Sequence, residues 1–172
     1  GKQVFAQVPY LDFVLGTKAI PRLPYVLESL DYRPKVIDVG EYAWDHEDDN
    51  IERECRFKAY ITIMRGCDNF CAYCVVPYTR GREESRPSAD IVREAQHLVD
   101  DGVLEITLLG QNVSSYTDPS GTAPSFQELL KAVHSVEGLR RLRFITAHTK
   151  DVSSELAGMM ARLPNVCRHF HL

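Results

Sequence analysis

The sequence is short of the features that send a chain into a membrane, through a secretory route or onto a polyanion. No run approaches the roughly 18 apolar residues that a membrane span needs, and the first residues lack the basic and apolar pattern of a signal peptide. Positive charge is not in excess either: 20 Lys and Arg stand against 24 Asp and Glu, giving a net charge of -4 and a pI near 5.9. A surface built mainly to neutralise phosphates is thereby excluded, so any hold on nucleic acid has to come largely from elsewhere. Repeats and low-complexity tracts are absent. Cysteine is scarce and odd in number, five in all with three of them clustered, which is unlike the paired framework of a secreted domain. A metal or redox site in a reducing compartment fits better. The expectation is a cytoplasmic protein without a membrane anchor.

What is present can make a core. Hydrophobic residues are 44% of 172, enough for one domain or for a small domain joined to part of a larger one. The chain opens with Gly1 and stops at C-R-H-F-H-L, so it reads as a piece of a longer protein. Residues 11–16 (L-D-F-V-L-G) suit a strand and 23–30 a helix, with Pro21 and Pro24 placed for a helix start. The acidic stretch 41–54 lacks apolar periodicity and reads as a solvated linker, with a domain boundary near residue 50.

From residue 57 strands alternate with helices, the pattern of a parallel sheet in an α/β fold. Strands are expected at 57–64, 104–110 and 142–147, with a fourth at 167–172 cut short. The helix after the first strand starts with Ser88 as N-cap, turns Ile91, Val92, Ala95, Leu98 and Val99 inward, and ends at Gly102. Ser125 and Glu128 form a capping-box pattern before Phe126, Leu129, Leu130 and Val133, and a third helix spans 151–163. Three βα units and a broken fourth would make the first half of a (β/α) barrel. The domains expected are thus residues 1–50, the end of a small α/β N-terminal domain plus linker, and 51–172, half of the barrel.

The chemistry is carried by G-C-D-N-F-C-A-Y-C, which places Cys67, Cys71 and Cys74 on the loop after the first strand. Soft thiolates suit zinc or an iron-sulfur cluster. Zinc in a structural site takes four protein ligands, so it would need Cys55, His46, Cys167 or His169 as the fourth. A 4Fe-4S cluster held by three cysteines keeps one iron open, whereas an electron-transfer ferredoxin closes all four. An open iron can bind and reduce a ligand, and the C-terminal end of a barrel strand is where active sites lie. Three ordinary buried cysteines remain the bland alternative.

The C-x3-C-x2-C loop resembles that of the radical S-adenosylmethionine (SAM) enzymes. The longer string G-C-D-N-F-C-A-Y-C-V-V-P-Y-T-R-G-R-E, followed by E-I-T-L-L-G-Q-N-V, is similar to the methylthiotransferase branch, and within it to the tRNA enzymes rather than those acting on a ribosomal-protein aspartate. The resemblance is strongest over residues 59–118. It implies a 4Fe-4S cluster on the three cysteines, SAM chelated at the open iron and cleaved to a 5'-deoxyadenosyl radical, and transfer of a methylthio group to C2 of an N6-prenylated adenosine beside the anticodon. It also implies a second 4Fe-4S cluster in an N-terminal domain whose three cysteines are not in this sequence, a tRNA substrate, an electron donor such as a flavodoxin or ferredoxin, and a monomer.

The resemblance also nominates site residues. Tyr73 lies between two cluster cysteines, where the family has an aromatic residue near the SAM adenine. Gly110, Gln111 and Asn112 end the second strand, where the family contacts the SAM amino group or substrate. Arg80, Arg82 and Arg86 are candidates for the SAM carboxylate or an RNA phosphate, since guanidinium suits both. His148 sits in T-A-H-T where relatives tend to have T-S-H-P, so Ala147 and Thr149 depart from the pattern. Arg140, Arg141 and Arg143 flank a strand and are given no catalytic role, and Cys55, Cys167, His169 and His171 read as isolated side chains.

Overall fold

A computed structural model describes residues 2–44 and 55–172. They form two compact units, one of residues up to 44 together with Tyr78–Arg80, the other of residues 55–77 and Gly81–Leu172. Most of the acidic stretch, the expected boundary and His46 lie outside the described residues.

The N-terminal unit contains α1 (Lys2–Gln7), β1 (Phe13–Leu15), α2 (Leu23–Ser29) and β2 (Val36–Asp38), with β1 and β2 parallel. Pro24 occupies the first turn of α2, where a missing N–H breaks no helical hydrogen bond, and Pro21 lies in the preceding 3-10 turn. Arg22 Nε donates to one Asp38 carboxylate oxygen at 2.8 Å and the Tyr42 hydroxyl to the other at 2.8 Å. This ties the end of β2 to the start of α2. β2 is absent from the sequence reading.

The second unit opens with β3 (Lys58–Thr62), and the expected strand 57–64 is interrupted at Ile63. There the chain leaves the sheet as β4 (Met64–Arg65), passes through the single turn α3 (Val76–Thr79), whose last two residues group with the N-terminal unit, and returns as β5 (Glu84–Ser85) antiparallel to β4. Then follow α4 (Ser88–Asp100), β6 (Glu105–Leu109), α5 (Phe126–His134), β7 (Arg141–Phe144) and α6 (Ser154–Arg162). Strands β3, β6 and β7 pair in parallel, in that order, with a helix following each.

Register sorts the two faces of this sheet. Ala59, Ile106 and Leu142 stand side by side, as do Ile61, Leu108 and Phe144. Against them pack Ile91, Ala95 and Leu98 of α4, Phe126, Leu129, Leu130 and Val133 of α5, and Leu156, Met159 and Met160 of α6, in one core. Each fully buried side chain of the Leu or Ile class contributes about 1.5–3 kcal/mol here. Phe126 meets Phe144 edge to face at 5.1 Å between centroids. The opposite face is polar. Glu105, buried on the middle strand, accepts from Arg141 Nη1 at 2.9 Å and Arg143 Nε at 3.2 Å, with Lys58 Nζ at 3.8 Å.

Three expectations are corrected. Ser88 is not the N-cap of α4: Pro87 holds that place, and the Ser88 hydroxyl instead donates to Asp118 at 2.5 Å. The third strand ends at Phe144 because Thr146 turns to φ 66°, outside strand geometry. The fourth strand is reduced to one parallel bridge between Val166 and Leu142. His169 N–H donates back to the Cys167 carbonyl at 2.9 Å, which takes a ladder group out of use. Elsewhere the reading holds: Ser125 caps α5 by accepting the Glu128 N–H at 3.3 Å, although the Glu128 carboxylate pairs with Lys131 rather than reaching back. Gly102 ends α4 at φ 93°.

Candidate metal centre

The cysteine loop is a closed excursion with a built neck. Arg65 donates to Glu84 from Nε at 2.9 Å and Nη2 at 2.8 Å across β4 and β5. Next to it, Gly66 at φ 73° lies so close to the returning chain that a Cβ would stand 1.9 Å from the Arg82 carbonyl oxygen. The Cys67 N–H donates to the Gly81 carbonyl at 3.2 Å, and Asp68 Oδ1 accepts from the Glu83 N–H at 3.3 Å and Arg82 Nε at 3.0 Å. Arg82 also lies over the Phe70 ring at 5.6 Å.

Within the loop, the Cys74 N–H donates to the Cys71 carbonyl at 2.9 Å, so Cys71 to Cys74 is one tight turn with Tyr73 at its tip, 90% exposed. Cys67 is buried at the neck and Cys71 and Cys74 are half-buried. All five cysteines are free thiols, and among the described residues no three His, Cys, Asp or Glu side chains converge as a group that could hold one metal ion. Three soft thiolate donors on one loop match the chemistry of an iron-sulfur cluster. Of the fourth zinc ligands that the sequence offers, Cys55, Cys167 and His169 complete no ligand group among the described residues, and His46 lies outside them.

The ends of β6 and β7 meet beside this loop. Gly110 has no room for a side chain, since a Cβ would stand 2.5 Å from Met64 Cγ. Gln111 follows with its Oε1 buried and without a donor among the described residues, and Ser114 Oγ likewise lacks a partner there. Asn112, 1% exposed, donates from Nδ2 to Asp151 at 2.6 Å and accepts the His148 N–H on Oδ1 at 3.0 Å. His148 Nε2 stands 3.7 Å from Cys71 Sγ. Thus Cys71, Asn112 and His148, distant in sequence, share one network, while Tyr73 points to solvent.

The arginines separate. Arg80 is exposed and groups with the N-terminal unit. Arg86 turns inward, its Nη1 pairing with Glu94 at 2.6 Å and donating to the Thr62 carbonyl at 3.0 Å, so its charge is engaged within the fold. His169 and His171 are exposed.

Sequence reasoning missed the supports of this site. The Ser115 hydroxyl contacts both Glu83 Oε1 at 2.7 Å and the Asn112 carbonyl at 2.9 Å, fastening the loop after β6 to the cysteine loop. Asp118, also buried, accepts from Ser88, from Ser120 and from the Ala123 N–H at 2.9 Å. Burial alone would push its carboxyl up, but the bonds from Ser88, Ala123 and Ser120 outweigh that and hold it far below the usual carboxylate range. The Asp-rich, Ser-rich composition of this loop marks turns, not which carboxylate turns inward.

Known proteins bear on this geometry. The profile of the radical SAM superfamily matches residues 61–172, more than half of the chain. A protein of Dictyoglomus thermophilum is 43% identical over 99% of this chain, and one of Moorella thermoacetica is 44% identical over 99%. A third, from Finegoldia magna, is 46% identical over 95% of the chain. All three carry the name tRNA-2-methylthio-N(6)-dimethylallyladenosine synthase. The chain spans 39% of the length of the first two and 36% of the third. With three free thiols on the loop after the first strand of a parallel sheet and a profile match beginning in that strand, the chain belongs to the radical SAM superfamily, whose cofactors are a 4Fe-4S cluster and S-adenosylmethionine.

Proposed function

We propose that the protein containing this chain is a radical SAM tRNA methylthiotransferase, which adds a methylthio group at C2 of an N6-prenylated adenosine next to the anticodon. The observation that carries this reading is identity above 40% along nearly all of the chain to proteins named for that product. Cys67, Cys71 and Cys74 would hold a 4Fe-4S cluster and leave it one open iron for SAM. When bound, cluster and SAM supply an electron and a carbon radical, which suits a C2–H bond too strong for acid–base chemistry.

The chain's own residues position that pair. Gln111 Oε1, buried without a donor among the described residues, is the acceptor for the SAM ammonium, and Gly110, packed against Met64, sets the backbone that carries it. Tyr73 flanks the adenine, and Arg80 takes the SAM carboxylate or an RNA phosphate. Residues 1–50 are the end of an N-terminal domain that carries a second cluster, and 51–172 the first half of a (β/α) barrel. A flavodoxin or ferredoxin delivers electrons, and the full-length protein works as a cytoplasmic monomer. A ribosomal-protein substrate is the nearest alternative, and the relatives' shared name speaks against it.

The test is anaerobic reconstitution with iron and sulfide, followed by EPR of the reduced protein with and without SAM. A reduced 4Fe-4S spectrum that shifts on adding SAM and is lost in Cys71→Ala is expected. One zinc per chain with no iron uptake would overturn the reading.

A further inference from the structure

We infer that His148 is a positioning residue for the cluster: held by Asn112, it donates its Nε2–H to the Cys71 sulfur and raises the reduction potential of the cluster, an inference that rests on the ligand set proposed above. Three observations carry it. The Lys150 N–H donates to His148 Nδ1 at 3.2 Å, so that nitrogen is an acceptor and the neutral ring carries its proton on Nε2. Nε2 in turn lies 3.7 Å from Cys71 Sγ, within reach of an N–H···S bond. The third is the mounting: the His148 N–H is fixed by the buried Asn112 Oδ1 at 3.0 Å, and the other end of that amide by Asp151 at 2.6 Å.

Asn112 therefore has both ends of its amide engaged by protein, which sets it apart from Gln111 and its free oxygen. Its own carbonyl is bridged by the Ser115 hydroxyl to Glu83, whose N–H reaches Asp68 in the cysteine loop. The imidazole is thus held from the strand ends while the loop bearing Cys71 is held to the same segment. A donor aimed at a ligating sulfur offsets part of its negative charge, which favours the reduced cluster over the oxidised one. Removing the donor makes reduction harder without removing a ligand.

The experiment uses the intact protein, reconstituted anaerobically, with a redox titration read by EPR on the signal that responds to SAM. His148→Phe and Asn112→Ala are expected to move the midpoint to more negative potential with iron content unchanged. For His148→Phe the ratio of reduced to oxidised cluster at a fixed potential falls about tenfold, equivalent to 59 mV for a one-electron couple. His148→Gln, which keeps an N–H donor, restores most of the parent value. Parent-like midpoints in His148→Phe and Asn112→Ala overturn the inference. So does loss of iron in all three variants with an unchanged midpoint in the cluster that remains, because that is a purely structural role. A SAM-responsive signal that survives Cys71→Ala instead overturns the ligand set itself, a separate result.

Discussion

Gly66 and Gln111 show how single residues make this site, and how differently they can be read. Gly66 combines a φ of 73° with a virtual Cβ 1.9 Å from the Arg82 carbonyl oxygen, and the obstacle is backbone, which cannot swing aside. Gly66→Ala therefore forces the neck of the cysteine loop open at a cost of about 2 kcal/mol or more. We expect iron and sulfide per chain to fall well below the parent while far-UV circular dichroism is retained; normal cluster loading would show that the neck does not set the thiol positions. The three cysteines stand out in the sequence because the metal-ligand role proposed for them calls for one residue type at a set spacing. Gln111 was legible only through resemblance, and its buried, unpartnered oxygen appears only in three dimensions. The Asp151 and Glu83 carboxylates gave no sequence sign, since each meets a partner 39 or 32 positions away in the sequence.

At the scale of elements, α4 and α5 were readable because their apolar stripes have helical period and their buried faces are the ones the period names. The pairs β4 and β5 have two residues each and carry no period to read, yet they form the neck. Ser88 shows the competing effect: a helix-start residue was outbid as a cap because its hydroxyl found a buried carboxylate. Glu105 was read only as part of an apolar strand, and its partners came from register, which sets Lys58 and Arg141 on either side of it. Burial pushes the Glu105 carboxyl up, but Arg141, Arg143 and Lys58 prevail and hold it below its ordinary value. A depressed folded value means the stabilisation is complete above the unfolded value of about 4.3 and fades as pH falls through it. Glu105→Gln should cost about 1.5–3 kcal/mol at neutral pH. In urea unfolding the gap between parent and variant should shrink below about pH 4. A gap independent of pH would mean that packing, not charge, is what Glu105 supplies.

Charge is the property that belongs to the whole molecule, and it bears on how an RNA substrate would be held. The net charge is -4, and three cations beside the cysteine loop and its neck already face carboxylates, Arg65 with Glu84, Arg82 with Asp68 and Arg86 with Glu94, while Arg80 is exposed. A guanidinium already facing a carboxylate releases few counterions when a phosphate arrives, so it adds little to affinity and little to its salt dependence. The chain also spans only 39% of relatives named for a tRNA product, which leaves most of their surface outside it. We therefore expect residues 1–172 alone to bind tRNA more weakly than the roughly 10⁻⁴–10⁻⁶ M of ordinary non-specific binders at physiological salt, with a shallow slope of log affinity against log salt. Fluorescence anisotropy with labelled tRNA across a salt series measures both quantities. Tight binding with a slope worth several phosphates would mean that the ion pairs above open on contact, and that the RNA is gripped at the cysteine loop itself rather than by the rest of the protein.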